Sequence, residues 1–229
     1  MELIIDTPDD TSGRLTQIKA AGVRTILRYV NISHSWKTVS VSEAKAISNA
    51  GMRLGLIFET DGKPYGTSEG QRDGHAAYLG AKQVGAPGSD TPNCPGRAVL
   101  YYCVDYDPGP SEIGGIIAAF TAFRRECGPY YRVGAYCSGY CAEKLVDAKR
   151  VDYTDDGKLP LIWITQSLGF RGTRNWLKSG QWVIFQKMPT HLAGLDIDPD
   201  TSIHASSHDD IGDFIPFQPK VDPVPPEVA

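Results

Sequence analysis

The sequence predicts an α/β protein folded as a (β/α)₈ TIM-type barrel. Eight short apolar runs recur along the chain, and segments with helical spacing separate many of them. Several of these runs are apolar on both alternating faces, which is typical of parallel strands covered on both sides. The length of 229 residues fits the lower range of this fold.

The candidate strands are short and are bounded by turn-forming residues. They lie at 3–6, 25–30, 53–59, 98–105, 131–137, 159–166, 181–187 and 194–198. Helical patterns are predicted at 12–22, 40–51, 69–85, 111–127 and 138–147, and glycines at 22 and 51 are suited to end the first two. The connections after the sixth and seventh strands are short, so we expect the late helices to be degenerate.

A doubly wound open sheet is the alternative fold. Such a sheet usually has fewer strands and a glycine-rich first turn that binds phosphate. The first turn here reads DTPDDTSG, which is acidic and would repel a phosphate. The barrel is therefore predicted over residues 1–216. The proline-rich remainder, 217–229, is predicted to be a tail or linker.

Composition excludes several function classes. The net charge is −4 and there is no basic stripe, so nucleic acid is not expected as a partner. No apolar run approaches the roughly 20 residues of a membrane span. The start MELIIDTPDD lacks the basic leader of a signal peptide. If the protein acts outside the cytoplasm, we therefore expect it to arrive by signal-independent export or by lysis, and we expect a monomer.

The cysteines are five in number, which argues against a complete set of disulfides. Free, mostly buried thiols are predicted, and a bond between Cys137 and Cys141 is the main exception. Histidines do not fall at predicted strand ends, and HASSH at 204–208 has i,i+4 spacing only if that piece is helical. Zinc is therefore disfavoured, whereas a carboxylate-only Mg²⁺ or Ca²⁺ site stays open.

Acidic or amide side chains end six of the eight predicted strands. In a parallel barrel these ends meet at one mouth, where the chemistry of the fold takes place. The side chains concerned are Asp6, Glu59, Asp105 followed by Asp107, Gln166, Gln186, and Asp196 with Asp198. Like charges raise one another's pKa, so such a cluster suits acid–base chemistry or metal binding.

Glycoside hydrolysis needs two carboxyl groups, one protonated and one ionised. Asp105 and Asp107 are two residues apart, so on a strand they would share a face, and Glu59 on the neighbouring strand could reach them. Sugar sites also use aromatic and neutral polar groups. The candidates for binding substrate are Arg28, Tyr29, Tyr101, Tyr136, Trp163, Gln166, Gln186, Asp196 and Asp198.

The order of these motifs resembles a known family. The stretches are IIDTPDD, ILRYV, SVSEAKAISNAGMRLGLIFE, DGHAAYLGAKQVGAP, LYYCVDYD, YRVGAYCSGY, LIWITQ and WVIFQK. Up to about residue 210 they are similar to glycoside-hydrolase-like domains related to the family-25 lysozymes. This resemblance implies a barrel of that type and cleavage of peptidoglycan between its aminosugars.

The resemblance also implies roles for particular residues. Family-25 enzymes have an Asp on the first strand, matched by Asp6, and an Asp-x-Glu on the fourth, matched in position by Asp105 and Asp107. A further late Asp corresponds to Asp196 or Asp198. Asp107 departs from the pattern because it is one methylene shorter than the general-acid Glu. Glu59 is the alternative proton donor.

The sequence thus predicts a lysozyme-like hydrolase that degrades the bacterial cell wall, an antibacterial activity. Asp6, Glu59, Asp105 and Asp107 would form the catalytic acidic cluster, and no cofactor is implied. Two alternatives remain open. One is a glycan-binding domain without turnover, and the other is a metal-dependent hydrolase of another cell-wall bond, such as an amide.

Overall fold

The computed structural model describes residues 3–30, 36–91, 96–203 and 210–217. Within these ranges the helices are α1 Leu15–Ala20, α2 Val41–Asn49, α3 Thr67–Gln83, α4 Ile113–Cys127, α5 Gly139–Asp147 and α6 Thr173–Ser179. The strands are β1 Leu3–Asp6, β2 Val23–Tyr29, β3 Arg53–Phe58, β4 Val99–Cys103, β5 Arg132–Cys137, β6 Ile162–Ile164, β7 Ile184–Gln186, β8 Thr190–Leu192 and β9 Leu195–Ser202.

Eight of these strands close into a barrel, which confirms the predicted fold class. Strands β1 to β7 are neighbours in chain order and pair in parallel, whereas β9 lies between β7 and β1. The six helices of the described residues alternate with β1 to β7. The carboxyl ends of the parallel strands therefore meet at one face, as the sequence predicted.

The last barrel strand departs from the predicted parallel arrangement, because β9 is antiparallel to both of its neighbours. Strands β8 and β9 form a hairpin whose two-residue turn, Ala193 and Gly194, has positive φ at both positions, 54° and 81°. Such a turn suits a tight hairpin. Too few residues separate β7 from β9 for the helical crossover that a parallel strand requires.

The helices are held against the barrel by caps and by close packing. Ser40 Oγ accepts a hydrogen bond from the backbone N–H of Glu43 at 3.0 Å and so caps the start of α2. Helices α3 and α4 touch through glycines, since a Cβ at Gly70 would lie 2.0 Å from the carbonyl oxygen of Ala119. A side chain at residue 70 would clash with the backbone of α4, so this approach requires Gly.

Alternation along β4 separates two cores. Leu100 and Tyr102 pack outward into the helix layer, and Val99, Tyr101 and Cys103 pack inside the barrel. The N-terminal end of the barrel is covered by residues 210–217, in which Phe214 forms an antiparallel bridge to β3.

Part of the cysteine prediction can be compared with the structure. Cys103, Cys127, Cys137 and Cys141 are buried free thiols, so the Cys137–Cys141 disulfide is not formed. Cys94, the HASSH segment and all but Phe217 of the proline-rich tail lie outside the described residues. Among the described helices, none has the length and apolar character needed to cross a membrane.

Candidate functional site

A pocket of about 290 Å³ opens at the carboxyl ends of the barrel strands. Nine of the predicted site residues line it: Asp6, Tyr29, Glu59, Asp105, Tyr136, Trp163, Gln166, Gln186 and Asp198. Its other lining residues are Ile57, Cys103 and Ser167. The structure thus brings together side chains from all parts of the sequence at the predicted face.

Gln186 connects the acids at the junction of β7, β9 and β1. Its Nε2 donates to Asp6 Oδ2 at 3.0 Å and to Asp198 Oδ2 at 3.2 Å. The Tyr136 hydroxyl donates to Gln186 Oε1 at 2.8 Å, which fixes the orientation of the amide. Asp6 and Asp198 are direct partners in the antiparallel register of β1 and β9, so their side chains lie next to each other.

Burial changes the titration of this pair. The pKa of Asp6 is raised to about 8, first by burial and then by the negative charge of Asp198, although the Gln186 hydrogen bond opposes the shift. The pKa of Asp198 is also raised, by burial and by the charge of Asp105. Asp6 therefore keeps its proton through most of the neutral range.

Glu59 and Asp105 meet on the opposite side of the pocket, at Gly62. A Cβ placed on Gly62 would lie 3.0 Å from Asp105 Cβ and 3.4 Å from Glu59 Oε1, so both acids pack against this glycine. Its carbonyl oxygen accepts a hydrogen bond from the Asp105 backbone N–H at 2.8 Å, and its φ is +74°. Sequence reasoning missed Gly62, although the Asp-Gly dipeptide at 61–62 is a turn signal.

Lys37 is a second residue that sequence reasoning missed. Its Nζ lies 3.3 Å from Glu59 Oε2 and 5.1 Å from the centre of the Tyr29 ring. The pKa of Glu59 is raised, mainly by burial, while the charge and hydrogen bond of Lys37 act to lower it. No local motif marks this lysine, because the contact joins a loop after β2 to the end of β3.

Asp107 lies outside the pocket lining, contrary to the prediction that it faces the mouth beside Asp105. Strand β4 ends at Cys103, so the i,i+2 alternation does not extend to residue 107. Asp107 is exposed, and its Oδ1 accepts a hydrogen bond from the backbone N–H of Arg171 at 2.9 Å. In this position it ties the loop after β4 to the loop after β6.

Arg28 is also outside the pocket lining, because it faces away from the barrel interior. It is buried, and its Nε and Nη2 donate to the two carboxylate oxygens of Glu43 at 2.9 and 3.0 Å. Its Nη1 donates to the carbonyl oxygen of Thr7 at 2.6 Å. This bidentate pair fastens the loop after β1 to α2 and leaves Arg28 without access to a substrate.

Tyr101 does lie inside the barrel, but near the opposite end. Cys103, two residues later, has the same orientation and takes the place at the mouth. The Tyr101 hydroxyl donates to the carbonyl oxygen of Ile211 at 2.9 Å, in the segment that covers the N-terminal end. The predicted role of Tyr101 in binding sugar is therefore replaced by a structural one.

Asp196 stands beyond the rim on the β8–β9 hairpin. It is exposed, and its Oδ1 lies 2.5 Å from His191 Nδ1 across the hairpin. It lines a second hollow of about 380 Å³, together with Pro8, Pro189, Thr190, His191, Ile197 and Asp198. Because Asp198 lines both spaces, this hollow adjoins the pocket.

Asp200 is a buried acid that the sequence did not single out as functional. Trp163 Nε1 donates to its Oδ1 at 2.9 Å, and only 2% of the residue is exposed. The alternation Asp196-Ile-Asp198-Pro-Asp200 could have shown that the three acids share one strand face. The strand predicted at 194–198 stops short of Asp200, so the alternation was not followed to this residue.

The thiol in the pocket is not activated. The pKa of Cys103 is raised well above its usual value, first by burial and then by Glu59 and Asp105, so the thiol stays protonated. In the ranges that the structure describes, no three His, Cys, Asp or Glu side chains are grouped to hold a metal ion.

One known protein family matches most of this chain. The family model described as Rv2525c-like, glycoside hydrolase-like domain matches residues 16–206. The chain belongs to this family. No curated protein sequence matches the chain.

Solved structures similar to this Rv2525c-like domain share its fold at low sequence identity. The Tat-secreted protein Rv2525c of Mycobacterium tuberculosis, solved with HEPES, has a TM-score of 0.69 and 16% identity over 93% of this chain and 98% of that chain. A B. stearothermophilus protein has a TM-score of 0.59 and 15% identity over 88% and 96% of the two chains.

The autolysin LytC of Streptococcus pneumoniae, solved with a synthetic peptidoglycan ligand, is a further similar structure. Its TM-score is 0.57 at 12% identity, and the match covers 87% of this chain but 46% of LytC. At such identities these likenesses show the fold alone.

Proposed function

We propose that this domain hydrolyses a glycosidic bond in bacterial peptidoglycan. The observation that carries the proposal is the pair Glu59 and Asp105, which lie side by side against Gly62 at the pocket. A glycosidase needs two such carboxyl groups near the scissile bond. The family assignment and the peptidoglycan ligand of LytC support this substrate class.

In this proposal Glu59 is the proton donor. Burial raises its pKa, which favours the protonated form that a general acid requires. Asp105 is exposed at the mouth and acts as the base, the nucleophile or the electrostatic partner. Asp107 cannot take the acid role from its position, because its carboxylate is bound to the backbone of Arg171.

The opposite wall would bind the sugar. Asp6 in its neutral form can donate a hydrogen bond to a sugar hydroxyl, and Asp198 can accept one. Gln166 and Ser167 add neutral donors and acceptors to the lining, and Tyr29 adds an aromatic ring. Polar groups set around an aromatic surface suit a ligand that has both apolar faces and hydroxyl edges.

The test is incubation with purified peptidoglycan, followed by mass analysis of the released fragments and an assay for new reducing ends. We expect new reducing ends from the parent, and their loss in Glu59→Gln and Asp105→Asn. Asp107→Asn is the control, and we expect it to stay active. A folded parent that releases no reducing ends contradicts the proposal, and so do fully active variants at Glu59 and Asp105.

A domain that binds cell-wall glycan without turnover is the second candidate. It is favoured by one observation: the position at which the resemblance implies a general-acid Glu holds Asp107, turned away from the pocket. In that case the parent binds peptidoglycan in a pull-down assay but releases no fragments. New amino termini instead of reducing ends would indicate an amide hydrolase.

We also propose that the domain acts outside the cytoplasm. The support is that Rv2525c, which shares the fold, is a Tat-secreted protein. Fractionation of the producing cells, with detection of this chain in the culture medium or at the cell wall, tests this location.

A further inference from the structure

Asp200 lies one step deeper in the barrel than the pocket. It sits on β9, opposite Ile4 of β1 and Gln186 of β7 in the strand register. Trp163 Nε1 from β6 donates to its Oδ1 at 2.9 Å. Its other oxygen, Oδ2, is buried and meets no donor among the described residues. A buried polar atom without a partner is costly, so this oxygen needs an explanation.

Among the described residues, the groups that act most strongly on Asp200 include no positive charge. The ionisable neighbours that act on it most strongly are Asp6 from β1 and Asp198 on its own strand, and both are acids. The Tyr101 side chain on β4 lies below, and Trp163 and Gln186 are neutral. An ionised carboxylate is strongly disfavoured in such surroundings, and protonation is the usual way to avoid a buried, unpaired charge.

The acceptor for a protonated Asp200 is Asp6, which lies two residues along β1 from Ile4, the register partner of Asp200, and forms a side-chain hydrogen bond with Asp200. Two carboxyl oxygens can form a hydrogen bond only if one of them carries a proton. Each acid accepts one side-chain hydrogen bond, Asp6 from Gln186 Nε2 and Asp200 from Trp163 Nε1. Asp6 also lines the pocket, whereas Asp200 Oδ2 is buried and meets no donor among the described residues. Because Asp200 is enclosed and Asp6 reaches the pocket, the proton of the hydrogen bond between them belongs on Asp200.

We propose that Asp200 is a positioning residue that stays protonated at neutral pH and donates a hydrogen bond from Oδ2 to the Asp6 carboxyl group. Asp6 is then held between Gln186 on one side and Asp200 on the other, so its carboxyl plane is fixed toward the pocket. The shift in titration agrees, since burial and then Asp6 raise the pKa of Asp200 well above its usual range. The Asp200 hydrogen bond in turn lowers the pKa of Asp6.

The decisive variant is Asp200→Asn. Asparagine keeps a carbonyl oxygen for Trp163 Nε1 and places an N–H donor where the protonated oxygen was. It therefore imitates a neutral acid, and it cannot imitate an ionised one. Asp200→Ala removes both hydrogen bonds and serves as the contrasting variant.

The first measurement is the protonation state itself, which does not depend on catalysis. The parent is labelled with ¹³C at the aspartate carboxyl carbons, and the Asp200 signal is assigned as the one missing from Asp200→Asn. We expect this signal to keep its protonated position from about pH 5 to 8, above the ordinary aspartate range of about 3.9. A signal that titrates in that ordinary range overturns the proposal.

The second measurement is turnover of peptidoglycan, and this part rests on the proposed function. We expect Asp200→Asn to keep hydrolysis within about threefold of the parent and Asp200→Ala to lose about tenfold or more, because only Asn restores the support of Asp6. The Asp6 signal should titrate in the Asn variant as it does in the parent, and at higher pH in the Ala variant. If folded Asn and Ala variants are equally impaired, the proposal is wrong.

A parent without hydrolytic activity would contradict the proposed function but not this inference. In that case the role of Asp200 is tested by the carboxyl signals and by the binding of purified glycan fragments. We then expect Asp200→Asn to bind as the parent does and Asp200→Ala to bind about tenfold more weakly, because Asp6 is no longer held. Equal binding by all three proteins, with Asp200 ionised at pH 7, contradicts the positioning role.

Discussion

The two walls of the pocket hold their acids in different ways. At the junction of β1, β7 and β9, Asp6 and Asp198 are joined through one amide, Gln186, and Asp6 is buried. At the ends of β3 and β4, Glu59 and Asp105 lie beside a lysine and a glycine, and Asp105 is exposed. We call the side formed by Asp6, Asp198 and Gln186 the deep wall, and its groups are suited to hold a proton and to bind the hydroxyl groups of a ligand. We call the side formed by Glu59 and Asp105 the outer wall, and its two acids line the pocket where a substrate could reach them.

Loss of either outer acid should have the largest effect. We expect Glu59→Gln and Asp105→Asn each to lower kcat for peptidoglycan by about 100-fold or more, which is the range for removing a general acid or base. The measurement is the rate of reducing-end release, with Asp107→Asn as the matched control. Equal losses in all three variants would contradict the distinction between Glu59 and Asp105, which line the pocket, and Asp107, which is bound to Arg171.

The deep wall should make stability depend on pH. The pKa of Asp6 is raised to about 8, against about 3.9 in an unfolded chain, so the folded state binds the proton more tightly between these values. This contribution to stability is complete below about pH 4 and is lost as the pH rises toward 8. We expect the free energy of unfolding to fall over this window by an amount on the order of a few kcal/mol.

Asp6→Asn tests this origin, because an amide does not titrate. Urea unfolding at pH 5 and pH 9 should show a smaller change for Asp6→Asn than for the parent. Glu59→Gln, on the more exposed wall, should keep most of the parent's change. If the unfolding free energy of Asp6→Asn changes between pH 5 and pH 9 as much as that of the parent, the pH dependence does not come from Asp6.

The glycine between the outer acids allows a sharper comparison. Gly62 and Gly157 have nearly the same φ, +74° and +73°, but only Gly62 touches Glu59 and Asp105, since a Cβ at Gly157 would meet nothing within 4 Å. Alanine at either site should cost about 1 kcal/mol of stability, because both backbones are in the left-handed region. Activity should fall about tenfold only in Gly62→Ala, where the new methyl group displaces the acids.

Thermal unfolding and reducing-end assays on the two variants check this expectation. Equal activity losses in Gly62→Ala and Gly157→Ala would mean that backbone strain, and not contact with the acids, determines the effect.

Replacing Lys37 should have a smaller effect on activity than the changes above, because this lysine acts through the pKa of Glu59. Its charge and hydrogen bond lower the pKa of Glu59, so Lys37→Met should raise that pKa. A general acid with a higher pKa keeps its proton to higher pH. We therefore expect the alkaline limb of the pH–rate profile to move to higher pH, with kcat changed less than about threefold. A downward movement would contradict the role of Glu59 as proton donor.

The smallest effect is expected beyond the rim. Asp196 and His191 line the hollow that adjoins the pocket at Asp198. Asp196→Ala should raise KM about twofold for long glycan chains and leave KM for short fragments unchanged, because only a longer chain extends to this hollow. Kinetics with peptidoglycan fragments of two lengths measure the difference, and equal changes for both lengths would argue against a role in binding.

The sequence by itself determined the barrel and three of its acids. Asp6, Glu59 and Asp105 follow apolar runs with strand character, and parallel strands bring their carboxyl ends to one face. That inference needed only local patterns and one rule of topology. Adjacent strand residues face opposite sides, so only one of Arg28 and Tyr29 can point into the barrel. The sequence does not say which one, and therefore Arg28 could not be excluded from the site.

Only the tertiary structure decided where the remaining acids lie. The hairpin reverses β9, so Asp198 adjoins Asp6 at the mouth and Asp200 is buried below it. The end of β4 at Cys103 turns Asp107 toward Arg171, and a loop contact brings Lys37 to Glu59. Strand direction, burial and contacts between loops depend on pairings between distant segments. Local residue patterns determine the strands and their ends, but they do not specify those pairings.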